Sequence, residues 1–223
     1  MKSKRFEIIN YSFFSAVIVA CLVLTIVCKI YWLSFVASAS SILYIVLLSE
    51  RNLLNFIVGF VSSTSYIVIA YQSLLYGEAI FYLVFDIPMI VVSFIMWKKH
   101  METKYKVETK KLSIKNIFLI VLVSSISVVG YGFFLRAIGG ENTFIDALST
   151  VVTLTATILM ALRYKEQWFM WIIVYAVSIV LWATTFNLLM LIMSISCFIS
   201  SFIGYINWTI STKKKETIEI KND

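Results

Sequence analysis

Asp86 lies inside an otherwise apolar stretch, eight residues after Glu78 and two before Pro88, the only proline in the chain. On a helix, Glu78, Tyr82, Asp86, Ser93 and Trp97 share one face, with Asp86 about 12 Å below Glu78. A carboxylate at that depth in a bilayer costs about 2.5–3.5 kcal/mol, so it normally faces a partner or a watery cavity. It can accept bonds from substrate hydroxyls, pair with a cationic ring or relay a proton. It can equally sit as a neutral acid bonded to a neighbouring helix. Pro88 frees the carbonyl of Val84 and favours a kink there.

A second pattern is aromatic. Trp168, Trp171, Tyr175, Ser178 and Trp182 recur at intervals of three, four, three and four. They fill a helical arc of about 80° over about 21 Å. Lipid requires no such stripe, and each indole or phenol brings a polar tip that wants a partner. Stacked faces around a flat ring would use both properties; the competing reading is helix packing or an interfacial belt, which suits Trp168 best. An earlier stripe of Asn52, Asn55, Gly59, Ser62 and Tyr66 is smaller and more polar, fit for substrate hydrogen bonds or close helix approach. The threads Ser149, Thr153, Thr157 and Ser34, Ser38, Ser41 read as packing seams.

These residues need helices to hold them. Of 223 residues, 61% are hydrophobic and 14% charged, against roughly 45–50% and about 25% in soluble domains. That excludes a soluble enzyme, a nucleic-acid-binding domain and a disordered chain. Cys21, Cys28 and Cys197 all lie in apolar runs, and His100 has no ligand partner at metal-binding spacing, so neither a disulfide framework nor a metal site is expected. No G-x-x-x-x-G-K-[ST] motif offers an ATP site, and no cofactor or catalytic residue is expected.

Runs long enough to span a bilayer fall at roughly 8–28, 31–48, 53–74, 79–97, 116–136, 143–162, 167–186 and 188–210. The reading is an all-α membrane protein with eight transmembrane helices. With the amino terminus inside, 17 of the 19 Lys and Arg residues fall on the cytoplasmic side, leaving Lys29 and Arg136 outside. Both termini are then cytoplasmic. The opening Lys2, Lys4 and Arg5 before an apolar run resembles a signal peptide, but the run continues past Cys21, so a retained first helix is expected.

A shift of 116 positions superimposes Glu50, Asn52, Asn55, Gly59, Ser62 and Tyr66 on Glu166, Trp168, Trp171, Tyr175, Ser178 and Trp182. Trp97 and Trp208 each end the following span. The expected plan is an extra helix (1–30), a three-helix bundle (31–97), a basic cytoplasmic loop (98–115), a linker helix (116–136), a second three-helix bundle (143–210) and a cytoplasmic tail (211–223). One linker helix makes the two triplets a parallel 3+1+3 repeat, with substrate expected between them.

The segment Leu159 to Trp171, running on to Ser178-Ile179, resembles the most recognisable stretch of the PnuC family. Asn55 to Gly59, Leu75-Tyr76-Gly77-Glu78 and Trp97 are similar to its first repeat, and the likeness covers roughly residues 35–210. The resemblance implies a bacterial inner-membrane vitamin and nucleoside transporter, SWEET-like in plan, forming homotrimers. Its members move nicotinamide riboside, and relatives take thiamine, riboflavin or deoxyribonucleosides. Transport is by facilitated diffusion, with a cytoplasmic kinase trapping the product. Trp168 and Trp171 match the family's paired tryptophans, whereas Tyr175 stands where the family usually has Asn or Asp.

The expected function is therefore import of nicotinamide riboside or a similar ring-plus-ribose compound. The expected contacts are Trp168, Trp171, Tyr175, Ser178, Trp182, Asn52, Asn55, Tyr66, Tyr82 and Asp86. Expected partners are the substrate, the lipid bilayer and copies of the same chain, with no nucleic acid. A proton-coupled importer, a membrane enzyme acting on lipid and a non-transporting assembly subunit are the rival readings; the enzyme would need clustered acids, histidines or a nucleophile with its base.

Overall fold

The computed structural model describes residues 4–72, 76–104, 106–137, 139, 143–184 and 188–222. In chain order its helices are α1 (Lys4–Val27), α2 (Trp32–Ser49), α3 (Asn55–Gln72), α4 (Tyr76–Phe81), a π turn (Tyr82–Asp86), α5 (Ile87–Lys98), α6 (Ile114–Ala137), α7 (Thr143–Ala161), α8 (Gln167–Thr184) and α9 (Leu188–Asn222). The π turn joins α4 and α5 into one rod. Five stretches are long and apolar enough to cross a membrane: Trp32–Ser49, Ala79–Lys98, Ile114–Ala137, Thr143–Ala161 and Leu188–Lys214. Tyr11–Val27, Asn55–Ile69 and Gln167–Val180 are shorter apolar helices. α9 continues unbroken to Asn222, so its last turns occupy the stretch expected as a tail.

Helix contacts close a cycle. α2 packs on α3, α3 on the α4–α5 rod, α5 on α7, α7 on α8, α8 on α9, and α9 back on α2. α1 lies outside this ring against α2 and α9, while α6 lies outside against α7. α6 shows why it can stay there: Phe118, Ile126 and Phe133 are exposed, as suits a surface facing acyl chains. Gly132 is its buried contact, since a Cβ there would meet the Phe144 ring at 2.5 Å.

Two tight turns at one end of the ring are near copies of each other. α2 ends with Arg51 at φ 61° and α7 ends with Arg163 at φ 68°. In the first, the Arg51 and Asn52 amides donate to the Leu48 and Leu47 carbonyls, both at 2.9 Å. In the second, the Arg163 and Tyr164 amides donate to Met160 and Leu159, again at 2.9 Å. This is the Schellman closure, which usually takes glycine at the left-handed position. Arginine there costs about 1–2 kcal/mol in backbone conformation, and its side chain returns something glycine lacks. Arg51 Nη1 donates to Glu102 Oε2 at 2.6 Å and to the Val107 carbonyl at 2.9 Å. Arg163 is almost fully buried, with Nη1 3.7 Å from Glu108 Oε2, and burial pulls its guanidinium below the ordinary arginine value.

The turns recur at an interval of 112, one helical turn shorter than the 116 suggested by side-chain types. A four-residue slip rotates a helix face by only about 40°, so similarity of side chains discriminates poorly between the two registers.

The basic stretch between α5 and α6 is not simply solvated. Lys99, His100, Lys110 and Lys111 are exposed, but Val107 is fully buried and Leu112 nearly so. The Val107 amide donates to the Arg51 carbonyl at 3.0 Å, and the Lys110 amide to the Arg163 carbonyl at 2.8 Å. Lys165 N–H returns a bond to the Lys110 carbonyl at 3.0 Å, and Glu166 accepts from the Leu112 amide at 3.1 Å. Four residues of extended chain thus strap together the ends of α2 and α7.

Candidate substrate site

The ring has a closed end and an interior that is polar at mid-depth. The closed end is aromatic. Trp97 on α5, Trp168 on α8 and Trp208 on α9 are all fully buried. Phe56 meets Trp97 edge-on at 4.9 Å and 84°, and Trp168 meets Trp208 edge-on at 5.9 Å and 79°. Trp97 Nε1 donates to the Met160 carbonyl at 3.0 Å, and Trp208 Nε1 to the Leu48 carbonyl at 3.1 Å. Gly204 makes room for the larger ring: a Cβ on it would lie 2.4 Å from Trp168.

Asn55 and Gln167 begin α3 and α8 at equivalent positions, and both are fully buried. Asn55 Nδ2 donates to the Asn52 carbonyl at 2.5 Å, while Gln167 Oε1 accepts from Trp171 Nε1 at 3.4 Å. Asn55 Oδ1 and Gln167 Nε2 have no protein partner. A carboxamide or hydroxyl reaching this depth would find one acceptor and one donor.

The mid-depth group starts from the π turn. Pro88 cannot donate to the Val84 carbonyl, and the chain widens just ahead of it: the Ile87 amide reaches the Tyr82 carbonyl, five residues back. The expected kink at Pro88 is therefore a π turn spanning Tyr82–Asp86. Asp86 accepts a hydrogen bond from the Ser63 hydroxyl of α3. Tyr82 stacks on Tyr66 with ring centres 5.3 Å apart and planes at 19°. Tyr66 Oη donates to the sulfurs of Met190 and Met193 on α9, both at 3.3 Å. Tyr44 on α2 donates to Met160 Sδ of α7 at 3.0 Å and neighbours both Asp86 and Cys197.

The opposite wall comes from α8 and α9. Trp171 stacks on Tyr175 at 5.8 Å and 23°, and Tyr175 neighbours Cys197. Tyr175 also neighbours Tyr44, Tyr66 and Tyr82. Five of the six ring members thus send a phenol, carboxylate, thiol or hydroxyl to one level, and α7 supplies the Met160 sulfur.

Of the residues expected at the site, Tyr66, Tyr82, Asp86, Trp171 and Tyr175 come together here. Trp168 belongs to the closed end. Asn52 is a turn residue: its Oδ1 accepts from the Leu54 amide at 3.0 Å and its carbonyl from Asn55. Ser178 Oγ donates to its own helix at Val174, 2.9 Å away. Trp182 packs on the core one turn beyond Ser178. The Glu78 side chain lies outside the described residues. Tyr44, Ser63, Met160, Met190, Met193 and Cys197 were not singled out as site residues. Ser63 carried a usable signal, since it sits one turn before Tyr66 on the same face.

The sequence profile described as nicotinamide mononucleotide transporter matches residues 31–210. This chain belongs to that family of transporters, the PnuC family. It is 34% identical over 195 residues to the "Nicotinamide riboside transporter PnuC" of Neisseria mucosa, covering 82% of this chain and 74% of the relative. It is 33% identical over 186 residues to the protein of the same name from Haemophilus influenzae, covering 82% and 81%. A solved structure titled "Crystal structure of the Vitamin B3 transporter PnuC" superposes with a TM-score of 0.83 at 30% identity, covering 92% of both chains. The PnuC relationship makes this a multi-pass membrane transporter rather than an enzyme.

Proposed function

We propose that this PnuC-family chain carries nicotinamide riboside, with the ring held at the level of Tyr66, Tyr82, Asp86, Trp171 and Tyr175. Relatives bearing the riboside name support that substrate. The description of the family names the mononucleotide instead, and the chemistry at mid-depth decides between them. A phosphate needs cations or an amide nest. The described side chains gathered there are phenols, sulfurs, hydroxyls and one carboxylate, which repels a phosphate. That carboxylate is the observation on which the riboside reading rests.

The helices act as eight transmembrane spans in an extra-plus-3+1+3 plan with parallel halves. The 112-residue recurrence of the Arg51 and Arg163 turns supports this plan, as does the crossed bonding of Trp97 and Trp208. The strap and both termini face the cytoplasm of a bacterial inner membrane, because 17 of the 19 basic residues then lie on that side. The chain works as a homotrimer by facilitated diffusion, and a cytoplasmic kinase traps the riboside as its phosphate.

Detergent-purified protein challenged with nicotinamide riboside, thiamine, riboflavin and deoxyribonucleosides in a thermal-shift panel tests the substrate, because a true ligand stabilises by mass action. The riboside should give the largest shift; a larger response to another compound replaces it. Cells expressing the chain should retain labelled riboside only when the kinase is present. Concentration of unmodified riboside without the kinase would mean an ion-coupled pump.

A further inference from the structure

We propose that Asp86 selects positively charged rings over neutral rings of the same shape, a statement that rests on the riboside reading above. Nicotinamide riboside carries a permanent positive charge on its pyridinium nitrogen. Its 1,4-dihydro form keeps the ribose and the carboxamide and has no ring charge. A site that recognised only flatness, hydroxyls and the amide would treat the two nearly alike.

The fold itself does not call for an acid at this position. Asp86 and Cys197 occupy matching places on their rods, 111 residues apart, the same interval that separates Trp97 from Trp208. Ser63, which hydrogen-bonds Asp86, and Tyr175, which neighbours Cys197, are 112 apart, like Arg51 and Arg163. One half therefore builds the pair from hydroxyl and thiol, the other from hydroxyl and carboxylate. A neutral side chain satisfies the packing in the second half. The first half keeps a carboxylate in the interior of a membrane protein, where an unpaired charge is costly.

Among the described residues, no cation pairs with it. The ion pairs Arg51–Glu102, Lys106–Glu50 and Arg163–Glu108 lie at the closed end. On its rod Asp86 precedes Trp97 by eleven residues, about 16 Å along a helix. Beside it stand electron-rich faces: the stacked Tyr66–Tyr82 pair, with the Trp171–Tyr175 stack on the opposite wall. Aromatic faces around a carboxylate attract an organic cation through both ring quadrupole and charge. The Ser63 hydroxyl fixes the carboxylate while leaving its remaining lone pairs for the ligand. Asp86 thus acts as the counter-ion of the bound ring.

Binding of nicotinamide riboside and of its dihydro form to the purified full chain, measured by calorimetry in the absence of oxidant, tests this. The wild-type protein should prefer the charged form by about tenfold or more. Asp86→Asn should bring the two affinities within about twofold, mainly by weakening the charged form. Equal wild-type affinities would overturn the proposal while leaving the riboside reading intact, and so would an Asp86→Asn variant that retains the full preference. Binding of neither form by wild-type protein would remove the riboside reading and this proposal together. If Asp86→Asn does not fold, Asp86→Cys, which copies the residue at the matching place 197, serves instead, with the same loss of preference expected and full retention overturning the proposal.

Discussion

Trp97 and Trp208 lie with ring centres 5.7 Å apart, and each donates its indole N–H to the next helix of the cycle, Trp97 to the last turn of α7 and Trp208 to the last turn of α2. The acceptors Met160 and Leu48 are 112 residues apart, and the donors 111. Each carbonyl also accepts the amide of the arginine that follows, Arg163 for Met160 and Arg51 for Leu48, so the indole is its second donor. Opening the ring at this end requires breaking both bonds together with the Val107 and Lys110 strap bonds.

Trp97→Phe and Trp208→Phe should each retain most of the packing and lose the indole bond to the next helix. Each should lower stability by about 1 kcal/mol. Thermal unfolding of purified protein measures this. Each should also raise labelling of a cysteine placed at Ser93, which is fully buried near the closed end.

Gly204→Ala should destabilise through contact alone. The added methyl would fall within 2.4–2.6 Å of three Trp168 ring carbons, and Trp208 already meets that ring edge-on. Overpacking of a rigid ring costs about 1–3 kcal/mol. A melting temperature equal to wild type would mean that the Trp168 ring has room to move.

Trp171→Ala should reduce riboside affinity at least about tenfold, the scale of one lost base–aromatic stack. Membrane abundance should stay near wild type. Calorimetry beside quantitative blotting separates the two effects, and unchanged affinity would return Trp171 to helix packing.

Pro88→Ala should trade function for stability. Alanine supplies the missing amide to the Val84 carbonyl and favours relaxation of Tyr82–Asp86 into α-helix. Removing the wide turn re-aims Asp86 away from Ser63. The variant should melt at or above the wild-type temperature and show a smaller riboside-induced shift, a pattern expected where a local distortion serves binding. Retention of the full shift would mean that the π turn does not orient the carboxylate.

Much of the site was readable one residue at a time. Asp86 stood out as an acid among apolar neighbours, and Trp171 and Tyr175 as large polar-tipped rings at helical spacing, because lipid-facing helices have no use for either. What failed was range. Asn52 and Asn55 read as one stripe with Tyr66, yet Asn52 closes a turn and Asn55 sits buried at the start of α3. Trp168 and Trp171 read as equivalent, yet Trp168 packs against Gly204 at the closed end while Trp171 stacks on Tyr175 at mid-depth. Three residues of helix separate them by about 4.5 Å in depth, which crosses from plug to site.

Apolar run length and the polar breaks between runs determined the helices from the sequence alone, because the length of a span is set by a local balance of burial and hydrogen bonding. The partners were decided only in three dimensions. Ser63 meets Asp86, Cys197 meets Tyr175, and Tyr44 reaches Met160 across the ring because six rods close a cycle, and α-helical periodicity tolerates a four-residue slip that leaves every face looking much the same. The register that fixes these contacts comes from the two arginine turns and the strap between them, whose backbone bonds leave no mark on composition.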